Sequence, residues 1–171
     1  NTFRFNVIAN SSSYGALFTI DHSNMKLLYD VYGNIFMNNG RSGFALHPYN
    51  SYASGTRFNI YNNTFYNNAT GGDGSRSEME IDYACNNTTI DFANNLIVHR
   101  NTGNFGFIID SGFNGTFSHR NNLYWHEGGT SRGMVEHLGD IYTVSTVQSY
   151  ETTAQNEDPL LSDTAQLPIS I

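Results

Sequence analysis

Five polar residues each close a short, largely apolar strand: Asp21 in Phe18-Thr19-Ile20-Asp21, His47 in Phe44-Ala45-Leu46-His47, Asp82 in Met79-Glu80-Ile81-Asp82, Asp110 in Phe107-Ile108-Ile109-Asp110, and His137 in Met134-Val135-Glu136-His137. If these strands stack in register, the five side chains form one outward column about 19 Å long, four rungs of about 4.8 Å. Asp82 and Asp110 then approach closely, with Glu80 on their face two residues earlier. Carboxylates so placed either share a proton or gather a hard cation such as Ca²⁺, which takes several oxygen ligands. The first outcome suits general acid–base hydrolysis, with Asp82, Asp110, His47 and His137 as catalytic candidates. The second makes Glu80, Asp82 and Asp110 a calcium site. A plainer reading also stands: Asp and His at strand ends cap turns and face water.

A second outward column places Asp30, Asn59 and Asp91 beside Tyr32, Tyr61 and Arg120. Rings next to amides and acids suit a sugar, whose apolar face stacks while its hydroxyls find polar partners. Tyr32, Tyr61, Asp91 and Arg120 are therefore the substrate-binding candidates. Aromatic residues make up 14% of the chain, so rings are expected on every face. His99, His119 and His126 lack the spacing of a zinc site and read as turn or stacking residues. Cys85 has no basic neighbour in sequence to lower its pKa and reads as a small filler.

What must position these columns is a repeat. The segments Phe5-Asn6-Val7-Ile8, Gly33-Asn34-Ile35-Phe36, Asn62-Asn63-Thr64-Phe65, Asn94-Asn95-Leu96-Ile97 and Asn121-Asn122-Leu123-Tyr124 share the form x-Asn-x-apolar. Their central residues, Asn6, Asn34, Asn63, Asn95 and Asn122, lie 28, 29, 32 and 27 residues apart by subtraction of their numbers. Ahead of them run alternating strands: Tyr29 with Val31, Phe58 with Ile60, Ile90 with Phe92. Two short strands and sharp turns per repeat can bury an apolar side only by stacking on copies of themselves. At each bend the Asn amide can then bond its equivalents above and below, forming a ladder that satisfies the buried turn. The expected architecture is an all-β, right-handed parallel β-helix of about five to six coils. Residues 1–137 form the coils, and residues 138–171 an excursion and closing strand of the same domain. Ser145-Thr146-Val147-Gln148 has the form of a capping box and predicts a short helix there.

Composition excludes several classes. A formal charge of −7 with a single lysine, Lys26, speaks against a nucleic-acid partner, which needs clustered cations. One cysteine rules out an internal disulfide framework. No apolar run approaches the roughly 18 residues of a membrane span. The chain opens in strand-like sequence without a basic, then apolar, leader, as expected of a mature product or a piece of something longer. No polar cap is visible ahead of the first coil, so exposed coil ends could also stack end to end.

The coils resemble the repeats of the right-handed parallel β-helix superfamily that includes pectate-lyase-like proteins. Asn121-Asn122-Leu123-Tyr124-Trp125, an excursion, and then Asp158-Pro159-Leu160-Leu161-Ser162-Asp163 is similar to the way secreted members close the helix. The resemblance implies a secreted protein that interacts with a polysaccharide, as a lyase or glycoside hydrolase, with calcium as the possible cofactor. The alternative is a non-catalytic extracellular module of structure or adhesion. The resemblance covers the scaffold alone: Lys26 has no evident acidic cluster in sequence, and the paired-Asp and Gly-His-Gly signatures of polygalacturonases are missing.

Overall fold

The bends recur at nearly constant spacing, and that spacing makes a parallel β-solenoid. The structure, a computed structural model, describes residues 1–19, 25–48, 52–71 and 77–161. Asp21 and the segment after Leu161 lie outside the described residues. Three sheets run along the stack. The first holds β1 (Thr2–Arg4), β4 (Leu28–Tyr32), β7 (Thr56–Tyr61), β10 (Thr88–Ala93) and β13 (Thr116–Arg120). The second holds β2 (Val7–Ala9), β5 (Ile35–Met37), β8 (Thr64–Tyr66), β11 (Leu96–His99) and β14 (Leu123–His126). The third holds β3 (Ala16–Phe18), β6 (Phe44–Leu46), β9 (Ser77–Ile81), β12 (Phe105–Ile109) and β15 (Gly133–His137), with β16 (Asp140–Thr143) antiparallel to β15 at its end.

Two expectations change. Each coil carries three strands rather than two, because the residues just after each bend Asn form a strand of their own. At three or four residues these strands are too short to display an alternation in sequence. The stack also makes about four turns, not five to six. Five bend asparagines enclose four spacings, and the closing segment adds a hairpin and a helix rather than another coil.

Inward positions build one continuous core. Phe36 stacks on Phe65 at 5.0 Å and Phe92 on Phe107 at 5.0 Å, all fully buried. Val31, Ile60, Ile90 and Ile97 fill between the rings. Burial of each such side chain contributes about 2 kcal/mol.

The bend asparagines form the expected ladder, and it has a direction. Backbone N and Nδ2 of Asn6 both donate to Oδ1 of Asn34, and Asn34 does the same to Asn63, Asn63 to Asn95, and Asn95 to Asn122. The residue before each ladder Asn is left-handed: Phe5, Gly33, Asn62, Asn94 and Asn121 have φ between 54° and 64°. Glycine and asparagine tolerate that region, which explains the Gly-Asn and Asn-Asn pairs. At Gly33 a Cβ would lie 2.6 Å from the exposed Phe5 ring, which would have to turn aside to admit it.

A second ladder, not anticipated, occupies the next bend. Ser11 N donates to Asn39 Oδ1, Asn39 to Asn68, and Asn68 to Glu78. Asn10, Asn38 and Asn67 precede it, again left-handed. Both ladders end alike. A buried glutamate accepts the last asparagine's two N–H groups, and an imidazole meets the same carboxylate: His99 Nδ1 lies 2.8 Å from Glu78, and His119 Nδ1 lies 3.3 Å from Glu151.

The closing segment covers the last coil. Helix α1 (Val147–Tyr150) starts after Thr146, whose side chain makes no capping bond, so the capping box does not form. Gln155 bridges Leu123 in parallel, and Gln155 N donates to Asn122 O. No helix among the described residues is long and apolar enough to cross a membrane.

Candidate functional site

At the end of the third sheet, His47, Asp82 and Asp110 fall in register as expected: their backbone N–H groups donate to Phe18, Leu46 and Ile81. The next place in the column is Leu138, whose N–H donates to Ile109 O; His137 is instead the Cα partner of Ile109 and turns inward. Its ring meets Tyr150 at 5.3 Å and Phe117 at 6.2 Å. Glu136 pairs with Ile108 in unbroken register, so the equivalent strand ending is Val135-Glu136-His137-Leu138 and His137 falls one residue short of the column.

His47 and Asp82 are brought together, with Nε2 2.8 Å from Oδ2. Asp82 Oδ1 accepts the N–H of Ala84 at 2.8 Å, and Asp110 Oδ1 that of Gly112 at 2.9 Å. Each aspartate thus folds its own turn, the work the plainer reading assigned to it. Glu80 is buried, and Ser42 Oγ donates to its Oε2 at 2.8 Å. Among the described residues no group of three or more His, Cys, Asp or Glu side chains is placed to hold a metal ion. Burial, with the charge of Asp82 behind it, pushes the Cys85 thiol well up, out of the nucleophilic range.

The outer face of the first sheet is different. Alternation along β4, β7, β10 and β13 projects Asp30 and Tyr32, then Arg57, Asn59 and Tyr61, then Asp91, then Ser118 and Arg120, from the same side. Tyr32 and Tyr61 stack at 4.9 Å, and Arg4 Nη1 donates to the Tyr32 hydroxyl at 3.0 Å. Asn59 Nδ2 donates to Asp30 at 2.7 Å. Arg120 grips Asp91 with both Nη groups, and Ser118 Oγ adds a bond at 3.1 Å. The Arg120 bond, helped by Ser118 and opposed by partial burial, holds the Asp91 carboxyl below the usual range.

Two depressions of about 340 and 370 Å³ lie along this face. They share Asp30, Arg57 and Asn59, so they form one trough. No protein-family model, no curated protein and no solved structure matches this chain. The trough's chemistry therefore rests on its own residues. Arg57 is the one that the sequence reading passed over, although it alternates with Asn59 and Tyr61 on β7. Its Nε donates to Asn59 Oδ1 at 2.7 Å, while its Nη groups carry no hydrogen bond to a described residue. Of the four substrate-binding candidates, Tyr61, Asp91 and Arg120 line the trough, and Tyr32 stacks against its wall through Tyr61.

Proposed function

We propose that the chain binds an acidic polysaccharide along the outer face of the first sheet. The observation that carries the reading is Arg57. Its guanidinium is fixed by Asn59 at the junction of the two depressions, and its Nη fork, which bonds no described residue, has the geometry that grips a carboxylate. Asp91 is already neutralised by Arg120, and the other carboxylate of the trough, Asp30, is held by the Asn59 amide, so the ligand's acid group would sit at Arg57 and away from Asp30. Tyr61 offers an aromatic ring, and Asn59 and Asn94 offer amides to hydroxyls. The resemblance of the coils to pectate-lyase-like β-helices supports a carbohydrate ligand and a secreted protein.

Calorimetry with polygalacturonate, alginate and a neutral glucan tests the reading. The acidic polymers should bind, and Arg57→Ala should weaken binding about tenfold, the worth of one charge-assisted hydrogen bond. Ile141→Ala, on the exposed closing hairpin, should leave binding intact. Absence of binding to all three polymers, or full binding by Arg57→Ala, rejects it.

One observation favours a hydrolytic role in addition. At the end of the third sheet, apart from the trough, Asp82 is held by a backbone N–H and fixes Nε2 of half-exposed His47, and Nδ1, which bonds no described residue, is the nitrogen that would act as the base. Release of reducing sugar that is lost in both His47→Ala and Asp82→Asn would support it.

A further inference from the structure

The closing segment meets the last coil through rings and ionisable groups rather than through aliphatic packing alone. Tyr150 of α1 lies flat on His119 of β13, 4.2 Å away and 9° from parallel, and His137 of β15 abuts the same ring at 5.3 Å. Tyr142 of β16 also packs on Tyr150, its ring tilted by 38° at 5.0 Å. The groups facing His137 are thus His119 from β13, Tyr150 from α1 and Asp140, its exposed Cα partner, from β16. Glu151 bonds His119 and ends the first ladder. The Tyr150 hydroxyl is buried without a hydrogen-bond partner among the described residues, a local cost that closing the segment must carry.

We propose that residues 138–150 form a flap that mild acid loosens, hinged between His137 and the ladder-bound Glu151. A proton on His137 places a cation in a half-buried ring cluster beside a second imidazole, with only exposed Asp140 to offset it. Burial first, and then the charge of His119, hold His137 below the ordinary imidazole range. Closure is therefore complete above that range and weakens as pH falls through it. The anchor at Glu151 persists over the same interval. Burial alone would raise its carboxyl, but bonds from His119, Asn122 and Tyr124 outweigh that and hold it low. Val144 and Val147, fully buried in the core, keep the flap mostly closed, so acid acts on how often it opens.

Native-state hydrogen exchange of the intact chain, corrected for intrinsic rates, tests this at about pH 7.5 and about pH 5.5. Val144 and Ser145, whose amides bond Arg132 and Thr130, should lose protection several-fold in acid. The amides of Asn63, Asn95 and Gln155 should not, and His137→Phe should remove the loss. The proposal is overturned by unchanged protection at Val144 and Ser145, by an equal loss at Asn63 and Gln155, or by a loss that survives in His137→Phe. Should that variant fail to fold, His137→Gln and the wild-type pattern decide the matter.

Discussion

The backbone N–H and the side-chain amide of Asn122 both donate to the carboxylate of Glu151, at 2.8 and 2.9 Å, in the place where every earlier asparagine of the first ladder finds another asparagine. A carboxylate has no proton to hand on, so the chain of donors stops there. Tyr124 spends its hydroxyl on the same group at 3.0 Å. Glu151→Ala would strand three buried donors, and we expect a loss of about 3 kcal/mol or more, read from urea unfolding. Glu151→Gln keeps an acceptor and should cost less.

Position along the ladder should decide the cost of losing an asparagine. Asn63 is buried and serves both neighbours, so Asn63→Ala should cost about 2–4 kcal/mol. Asn6 is half-buried and serves only the turn below it, so Asn6→Ala should cost about 1 kcal/mol. Equal shifts in unfolding midpoint would mean that the ladder contributes nothing beyond local turn propensity.

Phe5 is the odd member of the left-handed set, a bulky residue at φ 54° with 71% of its surface exposed. The other four places hold glycine or asparagine. Phe5→Asn should therefore raise stability by about 1 kcal/mol, less whatever the Phe5 contact with Tyr32 contributes. A thermal melt that moves down would place more weight on that ring contact than on the backbone.

Acid should act globally in two stages. Burial, before any neighbour, holds His126 and His137 below the ordinary imidazole value of 6.5. The unfolded chain takes up those protons first, so stability is complete above 6.5 and declines as pH falls through the lower folded values. Glu151 and Asp91 contribute above their ordinary carboxyl values, and their share disappears only as pH falls through lower folded ones. Urea midpoints between about pH 8 and about pH 3 should show both steps. His126→Asn should shrink the first, because His126 Nδ1 accepts the N–H of Gly128 and must stay unprotonated to do so.

The first ladder was legible in the sequence because one residue type recurs at one bend, and its donors need only the next copy and the backbone carbonyls beside it. The second was harder to see. Asn39 and Asn68 repeat at the same interval, but Ser11 and Glu78 fill the outer places, so composition changes where geometry does not. The column of His47, Asp82 and Asp110 was found from strand endings, yet its last member was misplaced by one residue. Nothing in Met134-Val135-Glu136-His137 announces that Leu138, left-handed at φ 54°, takes the bend. Arg57 escaped notice because a lone arginine in a strand signals nothing until Asn59 is seen to hold its Nε.

Because each asparagine of the first ladder touches only its immediate neighbours, that ladder carries no information about how many coils exist. Duplicating or deleting one whole repeat leaves the Glu151 plug, the rings beneath it and the amide contacts of the first ladder chemically unchanged, while the second ladder survives it only where Glu78 still follows the last asparagine. Length in such a protein is a free variable for evolution or engineering, while a gain or loss of part of a repeat throws every later contact out of phase.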